Sequence, residues 1–343
     1  MKRIKMIEKI WLPFLLVILC LIPTLQLGRY FNRVFALIGV YAILALSLNL
    51  ITGYMGQTSM GHAGLFCVGA YVSALMSVHF GTHFLVSAVV GALAAGIVGF
   101  LLGLCTMRLS GSYFAITTMG FAEVVRMIAL NWVDVTNGPL GIKNIPKPVF
   151  FGVTLTNSNN GFYWMTLLLV ILSVLFCQAL TNSRHGRSMV AIKEDELAAK
   201  LMGINTNRIK VETIAIASAV AGFAGAYYAH MTQYIDPSVF VSDVSITIMS
   251  IVIFGGMGSI PGMVLGSVIL IAFPEVLRFL AVYRFIIYGL ILVVMMRFRP
   301  QGLLGGLSKK PYKLPKGIRL PQSLMENEDD SRSKEGGKMN GTA

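Results

Sequence analysis

Residues 34–78 contain no Lys, Arg, Asp or Glu, and this restricts the fold more than any other feature. An apolar run of that length has to cross a bilayer about twice, at roughly 20 residues per crossing. Its middle nevertheless reads Gly53-Tyr54-Met55-Gly56-Gln57-Thr58-Ser59-Met60-Gly61-His62-Ala63-Gly64. Irregular polar backbone at membrane depth survives only where protein or a water-filled path covers it. The run therefore reads as membrane helices broken at Gly53, Gly56 and Gly61, where a polar solute can cross.

The rest of the chain agrees. It is 55% hydrophobic and only 13% charged, with mean hydropathy +0.73, where a soluble domain carries about 25% charged residues. The apolar runs are continuous and rich in Leu, Ala, Ile and Gly. They lack the period-two alternation of a β-barrel, so the expected fold is an all-α polytopic membrane protein. About ten apolar segments can be read: 10–28, 34–52, 60–80, 83–107, 112–131, 162–181, 211–231, 244–257, 260–277 and 282–298. The eighth is short for a crossing. Its flank Gly255-Gly256-Met257-Gly258-Ser259-Ile260-Pro261-Gly262 is a strong helix breaker, so segments eight and nine read either as two spans or as half-helices. Gly255, Gly256, Gly258 and Gly262 are the candidate break residues. The break also echoes the first one: Gly53-x-Met55-Gly56 with Gly64 matches Gly255-x-Met257-Gly258 with Gly266. Duplicated halves with broken helices are common in transporters, and chance in two glycine-rich stretches is the alternative.

Basic residues set the orientation. With the N-terminus inside, 21 Lys and Arg fall on the cytoplasmic side and 6 outside, with Arg126 left in a span. Cytoplasmic loops are the ones enriched in Lys and Arg, so both termini are expected in the cytoplasm. The organisation is then a cytoplasmic N-terminus at 1–9, a membrane domain at 10–307 with a large cytoplasmic loop at 182–212, and a polar tail at 308–343 expected to be disordered. The first apolar run is long for a signal peptide and lacks a small-residue cleavage site, so it reads as an uncleaved span. The net charge of +13 is mainly this topology signal, and nothing in it suggests nucleic acid. Cys20, Cys67, Cys105 and Cys177 sit in separate apolar runs without metal-ligand spacing.

Gln57, Thr58 and Ser59 need polar partners wherever they meet lipid. They either line a path or hold helices together. Ser59 and His62 stand three apart and can share a helix face. A nucleophile–base reading lacks the G-x-S-x-G surroundings it would need, and a His62 bonded to a backbone carbonyl is expected instead. Segment five carries Tyr113, Thr117 and Thr118, whose hydroxyls either face a path or bond back to the preceding turn. It also carries Glu123 and Arg126. Charges in a span are costly and are usually paired or turned to a cavity. At i,i+3 these two can neutralise each other. The Pro-containing loop 131–161 reads as external.

In the loop 182–212, residues 194–202 have helical spacing. Leu197, Ala198, Leu201 and Met202 fall on one side, and Glu194, Asp195 and Glu196 lie at the N-terminal end, where the helix dipole favours acids. Gly203 is a natural stop. Such a helix either lies on the membrane or inserts its apolar face into a groove on a partner.

Four blocks together resemble a known family. They are Gly53-Tyr54-x-Gly56-Gln57-x-Ser59-x-Gly61-His62-Ala63; Leu109-x-Gly111-x-Tyr113-Phe114-Ala115-Ile116 with Glu123; Arg187 followed by Ile192-Lys193-Glu194-Asp195-Glu196-x-Ala198-Ala199-x-x-x-Gly203-Ile204; and Arg299-Pro300-Gln301-Gly302-Leu303-Leu304-Gly305. The pattern resembles the LivM-type permease subunits of branched-chain amino-acid ABC importers. The third block resembles the EAA coupling motif, with Leu197 where that motif would carry Glu and the acid at Glu196. The resemblance implies a permease that works with two ATPase subunits, a second related permease and a periplasmic or lipid-anchored solute-binding protein. It implies a bacterial or archaeal cytoplasmic membrane. It also implies that ATP is used by the partner ATPase, with no cofactor on this chain. The sequence itself has no G-x-x-x-x-G-K-[ST] loop for ATP. Close relatives of the family carry urea or other small amides, and an ion-coupled secondary transporter is the reading from another class.

Overall fold

The computed structural model describes residues 29–109, 111–150, 153–154 and 161–276, with isolated positions at 289, 293, 297 and 302–304. The first and tenth apolar segments and the tail 308–343 lie outside these residues, apart from the isolated positions within segment ten. Within these residues eleven α-helices and four short strands follow in chain order: α1 Arg29–Asn49, α2 His62–Phe80, α3 Phe84–Thr106, α4 Gly111–Asn131, α5 Val133–Thr136, β1 Ile142–Lys143, β2 Val149–Phe150, β3 Val153–Thr154, α6 Gly161–Asn182, α7 Arg184–Glu194, α8 Glu196–Leu201, α9 Thr206–Thr232, β4 Tyr234–Ile235, α10 Ser242–Gly255 and α11 Ile260–Val276. Among the described residues six helices are long and apolar enough to cross a membrane: α1 with its extension to Tyr54, α2, α3, α4, α6 and α9. α10 and α11 are apolar but shorter. The eight apolar segments expected between 34 and 277 each correspond to one of these helices.

Close helix approach is what holds the bundle. α9 packs on α2 and α3, and at their crossing a Cβ on Gly69 would collide with the backbone of Gly222. Without apolar driving force between helices in lipid, such small-residue contacts supply the packing. α3 and α9 run antiparallel, with Gly99 against Ser218 and Gly103 against Val211. α10 and α11 form an antiparallel hairpin in which Gly255 meets Gly262 and Gly266 meets Ile251.

Two breaks differ from their expected form. α1 does not stop at Gly53 but widens into a π-helical turn, Leu50–Tyr54, in which the Met55 amide donates to Leu50 O at 3.2 Å. The stretch Tyr30–Tyr54 spans 25 residues, enough for a crossing of about 30 Å at ~1.5 Å per residue. The break therefore joins two full-length helices instead of interrupting one. It runs from Gly56, at φ 79°, to Gly61, which precedes α2. In the second break Gly256 and Gly258 take φ of 104° and 85°, and Gly255 ends α10. Gly262, expected to be a break residue, lies inside α11. Its role is the close contact with Gly255, which leaves no room for a side chain.

The described part of the loop 131–161 contains short ordered elements. β1 pairs with β4 through Ile142 and Ile235. The His230 Nδ1 lies 2.8 Å from Pro146 O, and its Nε2 lies 3.2 Å from the hydroxyls of Ser73, Ser77 and Ser87. One histidine thus joins α2, α3, α9 and the loop at one end of the bundle.

Candidate coupling and translocation site

The opposite end of the bundle gathers the two glycine breaks, α7 and the segment 302–304. The Gly258 amide donates to the Asn49 Oδ1 at 2.8 Å. A Cβ on Gly53 would strike both the Asn49 side chain and the Gly258 amide. The two breaks that resemble each other in sequence are therefore in contact. Leu303 and Leu304 amides donate to Phe254 O and Gly255 O at 3.0 and 3.2 Å, and Gly302 is packed on Gly256. From α7, the Lys193 ammonium donates to Gly53 O at 2.6 Å. Three of the four sequence blocks meet here.

The remaining block, Leu109–Ile116 with Glu123, meets the first break from α4. The Met60 amide donates to the Thr118 Oγ1 at 3.0 Å, and a Cβ on Gly61 would lie 2.6 Å from Thr118 O. Thr117 and Thr118 also bond back to Tyr113 O and Ala115 O at 2.8 and 2.9 Å. Gln57, Ser59 and Thr118 are buried within the chain, and Thr58 is half-buried. Ser59 accepts from the Gly61 amide at 3.4 Å. His62 is fully buried, and its Nε2 lies 2.7 Å from the Ser47 hydroxyl, not against the backbone carbonyl that was expected. No Ser59–His62 pair forms.

The expected path residues thus divide into two groups. Tyr113, Thr117 and Glu123 lie along the outer face of α4, with Tyr113 75% exposed. On this face the Arg126 guanidinium forks onto Glu123, with Nε 3.0 and 3.1 Å from its two oxygens. A shallow groove beside the pair is lined by Gly120, Glu123, Val124, Met127, Ile128 and Asn131. All of these belong to α4. Facing hydrocarbon, each of the two charges would cost about 2.5–3.5 kcal/mol at mid-membrane.

The loop 182–212 folds into α7, α8 and the first turn of α9. The expected helix over 194–202 is divided at Asp195. Its carboxylate accepts from the Leu197 and Ala198 amides at 2.8 and 3.0 Å, which makes it the N-cap of α8. Glu194 is consequently the last residue of α7 and not part of the first turn of α8. Glu196 opens α8. Its carboxylate takes Lys210 Nζ at 2.7 Å and Lys200 Nζ at 3.1 Å, and Lys210 is buried. Burial alone would raise the Glu196 carboxyl, but hydrogen bonds from Lys210 and Lys200 outweigh it and hold it below the ordinary glutamate range. Gly203 ends α8 at φ 84°. Its amide reaches Lys200 O and the Ile204 amide reaches Ala199 O, both at 3.0 Å. These two bonds form a Schellman motif. Ala199 packs inward, while Leu197, Leu201 and Met202 are 68, 81 and 83% exposed and Ala198 is exposed beside them. Two lysines and one glutamate therefore fix a short helix whose apolar side chains have no cover within the described residues.

Asn49 was not singled out in the sequence, and Lys193 stood there only as a member of the third block. Asn49 is a lone amide in an apolar run, which is a usable signal. The reach of Lys193 across 140 positions leaves no local trace.

Fold and site together define a polytopic helical membrane protein that carries an ion pair beside a shallow groove on one helix and, at one end of its bundle, a short helix whose apolar side chains are uncovered within the described residues. The chain belongs to the family described as the branched-chain amino acid transport system / permease component, whose model matches residues 30–296. It is 34% identical over 332 residues to the high-affinity branched-chain amino acid transport system permease protein LivM of Escherichia coli strain K12, covering 90% of this chain and 78% of that one. It is 28% identical over 311 residues to the corresponding permease protein LivH of Salmonella typhimurium, covering 81% and 95%. No solved structure matches the chain.

Proposed function

We propose that this chain is a membrane-spanning permease subunit of an ATP-driven importer for the branched-chain amino acids Leu, Ile and Val. The observation that carries the reading is α8. A helix of six residues capped at both ends holds Leu197, Leu201 and Met202 out as an uncovered apolar knob, the form a helix takes when it inserts into a partner's groove. A separate ATPase supplies that groove, and two such ATPases serve this chain and a second, related permease. The second permease supplies the missing wall beside α4, so Tyr113, Thr117 and Glu123 line the path between the two. Gln57, Thr58 and Ser59 join it when the first break opens. An outer binding protein, periplasmic or lipid-anchored, selects the solute. The excess of Lys and Arg at 182–212 supports a cytoplasmic position for α7 and α8 and for both termini, in a bacterial or archaeal cytoplasmic membrane.

Ion coupling is less well supported. It needs intramembrane acids free to bind and release a cation, whereas Glu123 is held by Arg126. The rival within the class is a permease for urea or other small amides. Uptake of labelled leucine by cells expressing the chain with its partner subunits decides between them. Competition by Ile and Val but not by urea is the expected result. Competition by urea alone would replace the solute and leave the permease reading standing.

A further inference from the structure

The ATPase-facing helix and the first glycine break are tied by a single side chain. Lys193 lies on the last turn of α7, two residues before the Asp195 cap of α8. α7 is seated on the bundle through Gly186, Met189 and Ile192. Only Glu194 and the capping residue Asp195 lie between Lys193 and the start of α8. The ammonium of Lys193 then donates to Gly53 O at 2.6 Å. Gly53 sits in a terminal turn, whose carbonyls have no helical amide ahead of them, so an outside donor is needed there. The stem of Lys193 also lies across Gly56, where a Cβ would come within 2.9 Å of Lys193 Cγ. Beyond Gly53 the contact continues to Asn49 and Gly258.

We infer that Lys193 is the positioning residue that transmits α8 movement to the first break, its bond to Gly53 O tying that break to α7 in the conformation described here. The inference rests on the coupling reading of α8. It requires that the break and α8 move as one unit while Lys193 holds Gly53, and separately when it does not. Lys193 is none of the apolar side chains that α8 presents, so its loss can be separated from loss of the partner contact by measuring ATPase recovery beside uptake.

The test uses the complete transporter in proteoliposomes. Lys193→Met should keep ATPase recovery and ATP hydrolysis while solute uptake per ATP falls about tenfold, within the range of typical coupling energies. Lys193→Arg, which keeps a cationic donor, should restore most of the ratio. Thr58→Cys, in a chain without the native cysteines, should label faster from the cytoplasmic side when Lys193 is Met. An unchanged uptake-to-ATP ratio in Lys193→Met would overturn the inference. So would a loss of uptake that merely matches a loss of ATPase recovery, since Lys193 would then only hold the loop in place. Full ATPase recovery with Leu201→Asp would remove the coupling reading itself, a failure distinguishable from the other two because it leaves Lys193 unaltered.

Discussion

Asn49 and Gly258 are joined by a hydrogen bond of 2.8 Å across 209 positions of sequence. That bond brings the end of α1 and the turn between α10 and α11 together at a point where Gly53 has no room for a Cβ. Gly53→Ala must displace either the Asn49 amide or the Gly258 backbone, and overpacking of this kind costs about 1–3 kcal/mol. Gly120 on α4 meets nothing within 4 Å, and Ala there is favoured in a helix by up to about 1 kcal/mol. Thermal unfolding in detergent should therefore fall for Gly53→Ala and hold or rise for Gly120→Ala.

The capped α8 gives a second expectation. Gly203 is at φ 84° with open space around it, so a Val there fails through backbone strain and not through collision. Gly203→Val should reduce recovery of the ATPase subunit and solute uptake together. Leu201→Asp should do the same without loss of fold, because that side chain is 81% exposed. Pull-down of the ATPase with each variant measures this. Glu194→Gln should have little effect, since Glu194 ends α7 and caps nothing in α8.

Glu196 sets a pH dependence with a definite sign. Its carboxyl is held below the ordinary range by Lys210 and Lys200 against the opposing effect of burial. A depressed carboxylate contributes stability that is present above the unfolded value of about 4.3 and is lost as pH falls through the folded value. Attachment of α8 to α9 should be constant through neutral pH and weaken only in acid below that unfolded value. Glu196→Gln should show weak attachment at pH 7 already, because buried Lys210 loses its carboxylate. Hydrogen exchange of the α8 amides, read against pH for both proteins, checks the sign.

Sidedness can be read with two single cysteines in a chain lacking the native ones. Asn207→Cys lies beside α8, and Lys143→Cys lies on β1 near His230 at the opposite end of the bundle. An impermeant thiol reagent added to intact cells should label position 143 and not 207. Labelling of both from outside would remove the orientation.

Much of this architecture was legible because apolar periodicity and glycine punctuation act locally. Each apolar segment between 34 and 277 became a helix, Gly203 took the left-handed stop, and both threonines on α4 bonded to the preceding turn. The start of α9 was placed at 211 instead of 206 because its first turn carries Arg208 and Lys210. Hydropathy rejects such a turn, although the Asn205 side chain caps it by accepting from the Arg208 amide. The helix over 194–202 was read without its division because three consecutive acids look alike, and only the capping geometry singles out Asp195. The contacts of Lys193 with Gly53 and of His62 with Ser47 join elements that approach only in the folded chain. The two glycine breaks also touch, a contact between distant segments that their short match in sequence does not itself imply.

The account's central claim is that this chain conducts solute under the control of an ATPase it does not contain. Uptake of labelled leucine into proteoliposomes holding the chain, its partner permease and the ATPase, with the outer binding protein added, tests it most directly. The expected result is uptake that requires ATP, persists when ionophores abolish ion gradients, and disappears with Leu201→Asp. Uptake that proceeds without ATP and stops when the gradients collapse would contradict the account.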